Sequence, residues 1–167
     1  MDVKYVPKAC YVGTSDERFY QYTMLEEASR KRFIYAYKEQ SSYSTVDFVK
    51  RAIIFFGYAP AILQTDNGSE FTHTNKTDRV HPLDSFCNTS HICHKTIRPR
   101  TPWHNGKVER SHRNDQQRFY NFLKFYSFED LQTQMRRYLY RSNCIPMSVL
   151  GWRSPNQVQG LLAAEFI

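Results

Sequence analysis

The chain has 167 residues, enough for one domain with a real core, and its 41% hydrophobic and 16% aromatic content excludes a disordered tail. Twenty-three Lys and Arg against sixteen Asp and Glu leave a net charge of +7, a surplus that favours a polyanion partner because cationic side chains release the counterions condensed on phosphates. No apolar run approaches the roughly 20 residues that span a bilayer, and Met1-Asp2-Val3-Lys4 opens neither a signal nor a transit peptide, so a cytoplasmic protein with no membrane partner is expected.

In chain order, Val3 to Val6, Arg18 to Leu25 and Arg32 to Tyr37 are rich in aromatic and branched residues and predict three antiparallel strands. The period then changes. Val46, Val49, Ile53 and Phe56 recur at helical spacing behind Ser44 or Thr45 as the cap, and Gly57 followed by Pro60 marks the helix end. A short apolar strand, Ala61 to Gln64, runs into Thr65-Asp66-Asn67-Gly68, where Asn-Gly signals a tight turn. Asp66 is thereby placed at the C-terminal tip of a strand, a common location for catalytic groups in α/β sheets.

Residues 72 to 90 are polar and predict an irregular loop or insertion. Cys87, His91, Cys93 and His94 are ligand-type residues, but their spacing matches no standard zinc finger or ribbon. Free thiols in a reducing compartment explain the four cysteines better. Ile92 to Ile97 predicts another strand. Beyond Asn105-Gly106 a helix is expected from Lys107 to about Lys124, then a second from Phe128 to about Asn143 with Leu131, Met135, Tyr138 and Leu139 on one face, and a last short one opened by Pro155. This order predicts a ribonuclease H-like α/β fold: a mixed five-stranded sheet, its first three strands antiparallel, flanked by helices.

Most of the acidic residues are explained as solvated surface groups, but two stand in unusual contexts. Asp66 lies in Thr65-Asp66-Asn67-Gly68-Ser69-Glu70-Phe71, and Glu109 lies in Pro102-Trp103-His104-Asn105-Gly106-Lys107-Val108-Glu109-Arg110. Glu109 falls in the first turn of a predicted helix, where an acidic side chain also simply favours the helix dipole. Together, and with Ser111-His112-Arg113 extending the second block, these segments resemble the catalytic core of insertion-sequence transposases and retroviral-type integrases, the DDE superfamily. The resemblance covers nearly the whole chain, since the order of strands and helices also matches.

That resemblance implies that Asp2, Asp66 and Glu109 are the catalytic, metal-binding carboxylates, holding Mg2+ (with Mn2+ able to substitute), two ions in all. Two hard cations roughly 3.5–4 Å apart can activate an attacking oxygen and stabilise a leaving one, and Mg2+ keeps several waters, so a few carboxylates suffice. The implied activity is DNA end cleavage and strand transfer in transposition. The implied partners are transposon-end and target DNA and further copies of the chain, as a homodimer or higher homo-oligomer. Lys107, Arg110, Ser111 and Asn114 fall on one helical face beside Glu109, and Lys107 and Arg110 are expected to contact phosphate. His104, Asn105 and Arg113 complete the expected DNA-binding set, and Arg136, Arg137 and Arg141 form a further basic region.

Two departures from the family pattern stand out. Positions 67 to 108 separate Asp66 from Glu109, a longer interval than the family's usual one; the surplus fits a surface insertion between His73 and His91, which costs little free energy. Asp2 follows only Met1, so residues 1–167 read as one core domain cut from a longer protein whose N-terminal DNA-recognition region lies outside it. Asp16 is a rival for the first position, but Ser15-Asp16-Glu17-Arg18 reads as a turn. Two other functions suit the same residues: a ribonuclease H-like nuclease outside transposition, and a decayed core kept as a DNA-binding or oligomerisation module. The Trp103 to Arg113 block argues against the first, the intact carboxylates against the second.

Overall fold

Strands β1 (Asp2–Tyr5), β2 (Tyr20–Leu25) and β3 (Arg32–Tyr37) form an antiparallel sheet in that order. The structure, a computed structural model, describes residues 1–14, 16–73, 78–97 and 106–164. Alternation along β2 decides what each face meets. Tyr22 and Met24 are buried, Tyr22 with its ring against Phe48 of helix α1 (Ser42–Phe56). Gln21 and Thr23 point the other way, toward helix α3 (Gly106–Asp115), where Gln21 bonds Asp115 and Thr23 bonds His112. Helices therefore cover both faces.

Helix α1 begins three residues earlier than its apolar period indicates. Ser41, extended at φ −142° and ψ 161°, is the cap, its hydroxyl accepting from the Ser44 N–H at 3.1 Å. The buried face is Ser44, Thr45, Phe48, Val49 and Ala52, rotated from the predicted one because Tyr22 and Phe33 select the residues that can stack on them. Gly57 closes the helix at φ 82°, a left-handed conformation that glycine adopts without a Cβ clash.

Strand β4 (Ile62–Thr65) pairs in parallel with β5 (Cys93–Thr96). All five expected strands are present, but their ladders divide them into a three-stranded and a two-stranded sheet rather than one continuous sheet. Met1, just before β1, donates from its α-amino group to the Gln64 carbonyl of β4 at 2.6 Å. That bond helps to set Asp2 beside the end of β4.

The polar stretch expected to be irregular contains helix α2 (Pro82–Thr89), capped by His81 and started by Pro82, with Leu83 and Cys87 buried. Helix α3 ends at Asp115, well short of Lys124, in a π turn over Gln116–Tyr120 that brings Phe119 and Tyr120 inward together. Helix α4 (Phe128–Cys144) packs on β3 with Leu131, Met135, Leu139 and Asn143 buried and Tyr138 half-buried, and α5 (Pro155–Ala164) follows it. Among the described residues, no helix is long and apolar enough to cross a membrane.

Candidate active site

Asp2 stands opposite Thr23 in the β1–β2 ladder and so shares its face, toward α3. Its Oδ1 accepts from the Val3 N–H at 2.8 Å, and its Oδ2 lies 3.4 Å from Nδ1 of His112. Burial pushes the Asp2 carboxyl up to about 6. The negative charge of Asp66 adds to the rise and that of Glu109 adds less, while the Val3 N–H and the Met1 ammonium pull it back. Burial likewise brings the Met1 ammonium down to about 6, against the attraction of Asp2 and Asp66.

Asp66 follows the last residue of β4. Its Oδ1 accepts from the Gly68 N–H at 2.9 Å, the Asx turn that Asp-Asn-Gly favours. Asn67 donates from Nδ2 to the Ile97 carbonyl at 3.0 Å, tying the turn to the end of β5. Glu109 is exposed in the first turn of α3. The structure thus brings Asp2 and Asp66 together, with Glu109 at the margin of the same electrostatic neighbourhood. Among the described residues, no three His, Cys, Asp or Glu side chains are already arranged as a metal-holding group. The donor chemistry nevertheless fits a hard divalent cation: three carboxylates, two of them crowding each other's charge at adjacent strand ends.

The expected basic stripe on α3 is not one face. Val108, Ser111 and Asp115 turn inward, and Ser111 accepts from Nη1 of Arg32 at 2.7 Å, so it has no part in an exposed DNA surface. Lys107 is exposed but paired with Glu27, whose carboxyl it holds below the usual range. Arg110 and Arg113 are exposed and make no ion pair with a described residue. His104 and Asn105 lie outside the described residues. Nor do the zinc-type residues cluster: Cys87 is buried in the core, Cys93 is exposed, His91 sits in a left-handed turn at φ 57°, and His94 is engaged by Asp84 and Thr65.

A buried polar network behind Asp2 is not evident from any motif. Arg32 and Asp115 form an ion pair at 2.5 Å, with side-chain exposures of 8% and 0%. Tyr138 donates to Asp115 at 2.9 Å, and Gln21 donates from Nε2 to both Asp115 and Thr23. Thr23 in turn meets Nε2 of His112 at 3.1 Å. Burial, followed by the positive charge of Lys4, lowers the His112 imidazole to about 4, so it is neutral near pH 7. Polar Gln21 and Thr23 alternating with Tyr22 and Met24 are the one sequence signal of this network.

The layered α/β architecture is that of retroviral integrase catalytic cores, a ribonuclease H-like fold. It is similar to the HTLV-2 integrase catalytic core domain in complex with magnesium, in a dimeric form, at TM-score 0.69 and 20% identity, covering 95% of this chain and 92% of that one. It is also similar to a chain of the simian T-cell lymphotropic virus intasome in complex with PP2A regulatory subunit B56 gamma, at TM-score 0.75 and 17% identity, covering 95% of this chain and 52% of that one. Sequence profiles for the integrase core domain match residues 1–102 and 90–155. The chain belongs to the integrase core domain family and is an integrase/transposase core of DDE type. It is 32% identical over 153 residues to ORF3 of Spiroplasma virus SpV1-C74, an inferred integrase; the match covers 86% of this chain and 41% of that protein, so the chain spans less than half of that relative's length.

Proposed function

We propose that this chain is the catalytic core of an enzyme that cuts DNA ends and joins them to target DNA, using Asp2, Asp66 and Glu109 to hold divalent cations. The observation that carries this reading is the convergence of Asp2 and Asp66 from separate strands, close enough for the charge of Asp66 to raise Asp2, with the charge of Glu109 adding to the same effect. A bound pair of Mg2+ or Mn2+ ions supplies Lewis-acid activation of an attacking oxygen and stabilises the leaving one. The protein's part is to keep these carboxylate oxygens turned toward one place. Supporting this, Oδ1 of Asp66 is held by the Gly68 N–H and Oδ1 of Asp2 by the Val3 N–H, so both carboxyl groups have one oxygen fixed locally. Exposed Arg110 and Arg113, with Lys107, His104 and Asn105, would meet the DNA backbone near Glu109.

The HTLV-2 cores carry magnesium in dimeric and trimeric forms. That precedent supports Mg2+ as the ion here and self-association, as a homodimer or larger assembly, for handling two transposon ends together with target DNA. The test compares a labelled DNA duplex with an RNA–DNA hybrid of the same sequence, in Mg2+ and in Mn2+. Metal-dependent nicking of the DNA duplex, lost in Asp66→Asn and in Glu109→Gln, is expected. Cleavage confined to the RNA of the hybrid would instead favour a nuclease outside transposition, and DNA binding with no metal uptake would favour a decayed core.

A further inference from the structure

The turn that carries Asp66 is braced from behind by side chains that no motif marks. β4 ends at Thr65, which is fully buried. Its Oγ1 lies 2.9 Å from Nε2 of His94 and 2.9 Å from the carbonyl oxygen of Asp66. The threonine hydroxyl donates its one proton to the Asp66 carbonyl, so its oxygen is left to accept from Nε2 of His94 and links the imidazole to the Asp66 peptide. The other ring nitrogen of His94, Nδ1, is 2.5 Å from Oδ1 of Asp84 in the first turn of α2. An ionised carboxylate can only accept, so Nδ1 bears a proton and the ring orientation is set. The His94 side chain is 6% exposed, with both nitrogens engaged.

The far side of the same turn is held as well. His81, the cap of α2, accepts the Leu83 N–H at Nδ1 (3.2 Å), which leaves its proton on Nε2, 3.4 Å from the Ser69 carbonyl. α2 therefore meets the turn before Asp66, through Asp84, His94 and Thr65, and after it, through His81 and Ser69. The run of carboxylate, imidazole and hydroxyl has the order of a nucleophile-activating triad. Thr65 is nevertheless fully buried and its hydroxyl faces the Asp66 peptide, so no substrate can reach it. The arrangement suits holding rather than attack.

We propose that His94, held by Asp84, is a positioning residue for Asp66, fixing the turn so that the carboxylate is presented to a divalent cation. This rests on the reading of Asp66 as a metal ligand. Hydrogen-bonded partners behind metal ligands typically carry a 10–100-fold share of metal affinity, and an imidazole wedged between α2 and the last residue of β4 is placed to act in that way.

The test is calorimetric titration of the full chain with Mn2+, alongside Mn2+-dependent nicking of a DNA duplex. His94→Asn keeps an amide near the Nδ1 position but cannot reach Thr65, whereas His94→Gln can reach it. His94→Ala and His94→Asn are expected to weaken Mn2+ binding by roughly 10–100-fold, with His94→Gln recovering most of the loss. Should a His94 variant fail to fold, Asp84→Ala, at a partly exposed position on α2, is expected to weaken Mn2+ binding in the same direction. The two losses should not add in the double variant, because the residues act through one path. Mn2+ affinity and nicking within about twofold of wild type in both His94→Ala and Asp84→Ala, while Asp66→Asn loses both, would overturn the proposal alone. Wild-type Mn2+ binding by Asp66→Asn would remove the reading of Asp66, and this inference with it.

Discussion

The two arms that bring carboxylates to the site from opposite ends of the motif are held in different ways. At the tip of β4, Asp66 sits in a turn bonded at Gly68, Asn67, Thr65 and Ser69, with a helix behind it. On α3, Glu109 is exposed and makes no hydrogen bond or ion pair with a described residue, and its helix is anchored on the inner side by Val108, Ser111 and Asp115. The strand-borne carboxylate is fixed by its turn, while the helix-borne one is free of such bonds. If the two hold a cation as proposed, the turn would define where the ion sits and the helix would complete its coordination.

The largest expected effect separates affinity from turnover. Asp66→Asn and Glu109→Gln should each reduce DNA nicking on the order of a thousandfold, as losing a metal ligand removes several kcal/mol of transition-state stabilisation. Only Asp66→Asn should also abolish Mn2+ binding by calorimetry; equal losses of affinity in both variants would erase the difference between the arms. Next comes the anchor of α3. Asp115→Ala strands the Arg32 guanidinium, whose charge burial opposes and Asp115 restores. It should destabilise the fold by about 3–5 kcal/mol in urea denaturation, with the Arg32→Met, Asp115→Leu double variant recovering most of that.

Smaller effects concern the surface and pH. Arg110→Ala and Arg113→Ala should each lower the slope of log K against log salt for DNA binding by about 1, measured by fluorescence anisotropy. Lys107→Ala should change it less, since Lys107 is already paired with Glu27. The smallest effect involves two opposed shifts. His112 titrates at about 4 folded against 6.5 unfolded, so the stability it confers is whole above 6.5 and is lost as pH falls toward 4. Asp2 titrates at about 6 folded against 3.8 unfolded, so its contribution is present below 3.8 and is lost as pH rises through 6. The two largely cancel between pH 4 and 6. Denaturation of His112→Asn should therefore show stability rising, relative to wild type, as pH falls from 6.5 to 4.

Much of this was legible in the sequence, for reasons tied to particular residues. Asp66 and its turn follow from Asn-Gly chemistry, the strands from aromatic alternation, and the buried face of α4 from the spacing of Leu131, Met135, Tyr138 and Leu139. Helix α2 escaped because it is short and largely polar, although Pro82 behind His81 is a helix-start signal of the kind that places proline at the first helical position. The cap of α1 was misplaced because tertiary stacking on Tyr22 and Phe33 chose the buried face, which local spacing cannot foresee. Ser111 was read as surface because its partner, Arg32, lies 79 residues away. His94 was considered as a zinc ligand, and the contact to Asp84 on which its proposed role rests lies on a helix that the polar stretch concealed.

The central claim is that Asp2 and Asp66, completed by Glu109, form one divalent-metal centre. Crystals of the chain grown with Mn2+ and measured at the manganese absorption edge test it directly. Anomalous density in contact with carboxylate oxygens of both Asp2 and Asp66, with Glu109 turned toward it, is expected. Well-ordered Asp2 and Asp66 side chains with Mn2+ bound elsewhere, or with no anomalous density between them at saturating Mn2+, would contradict it.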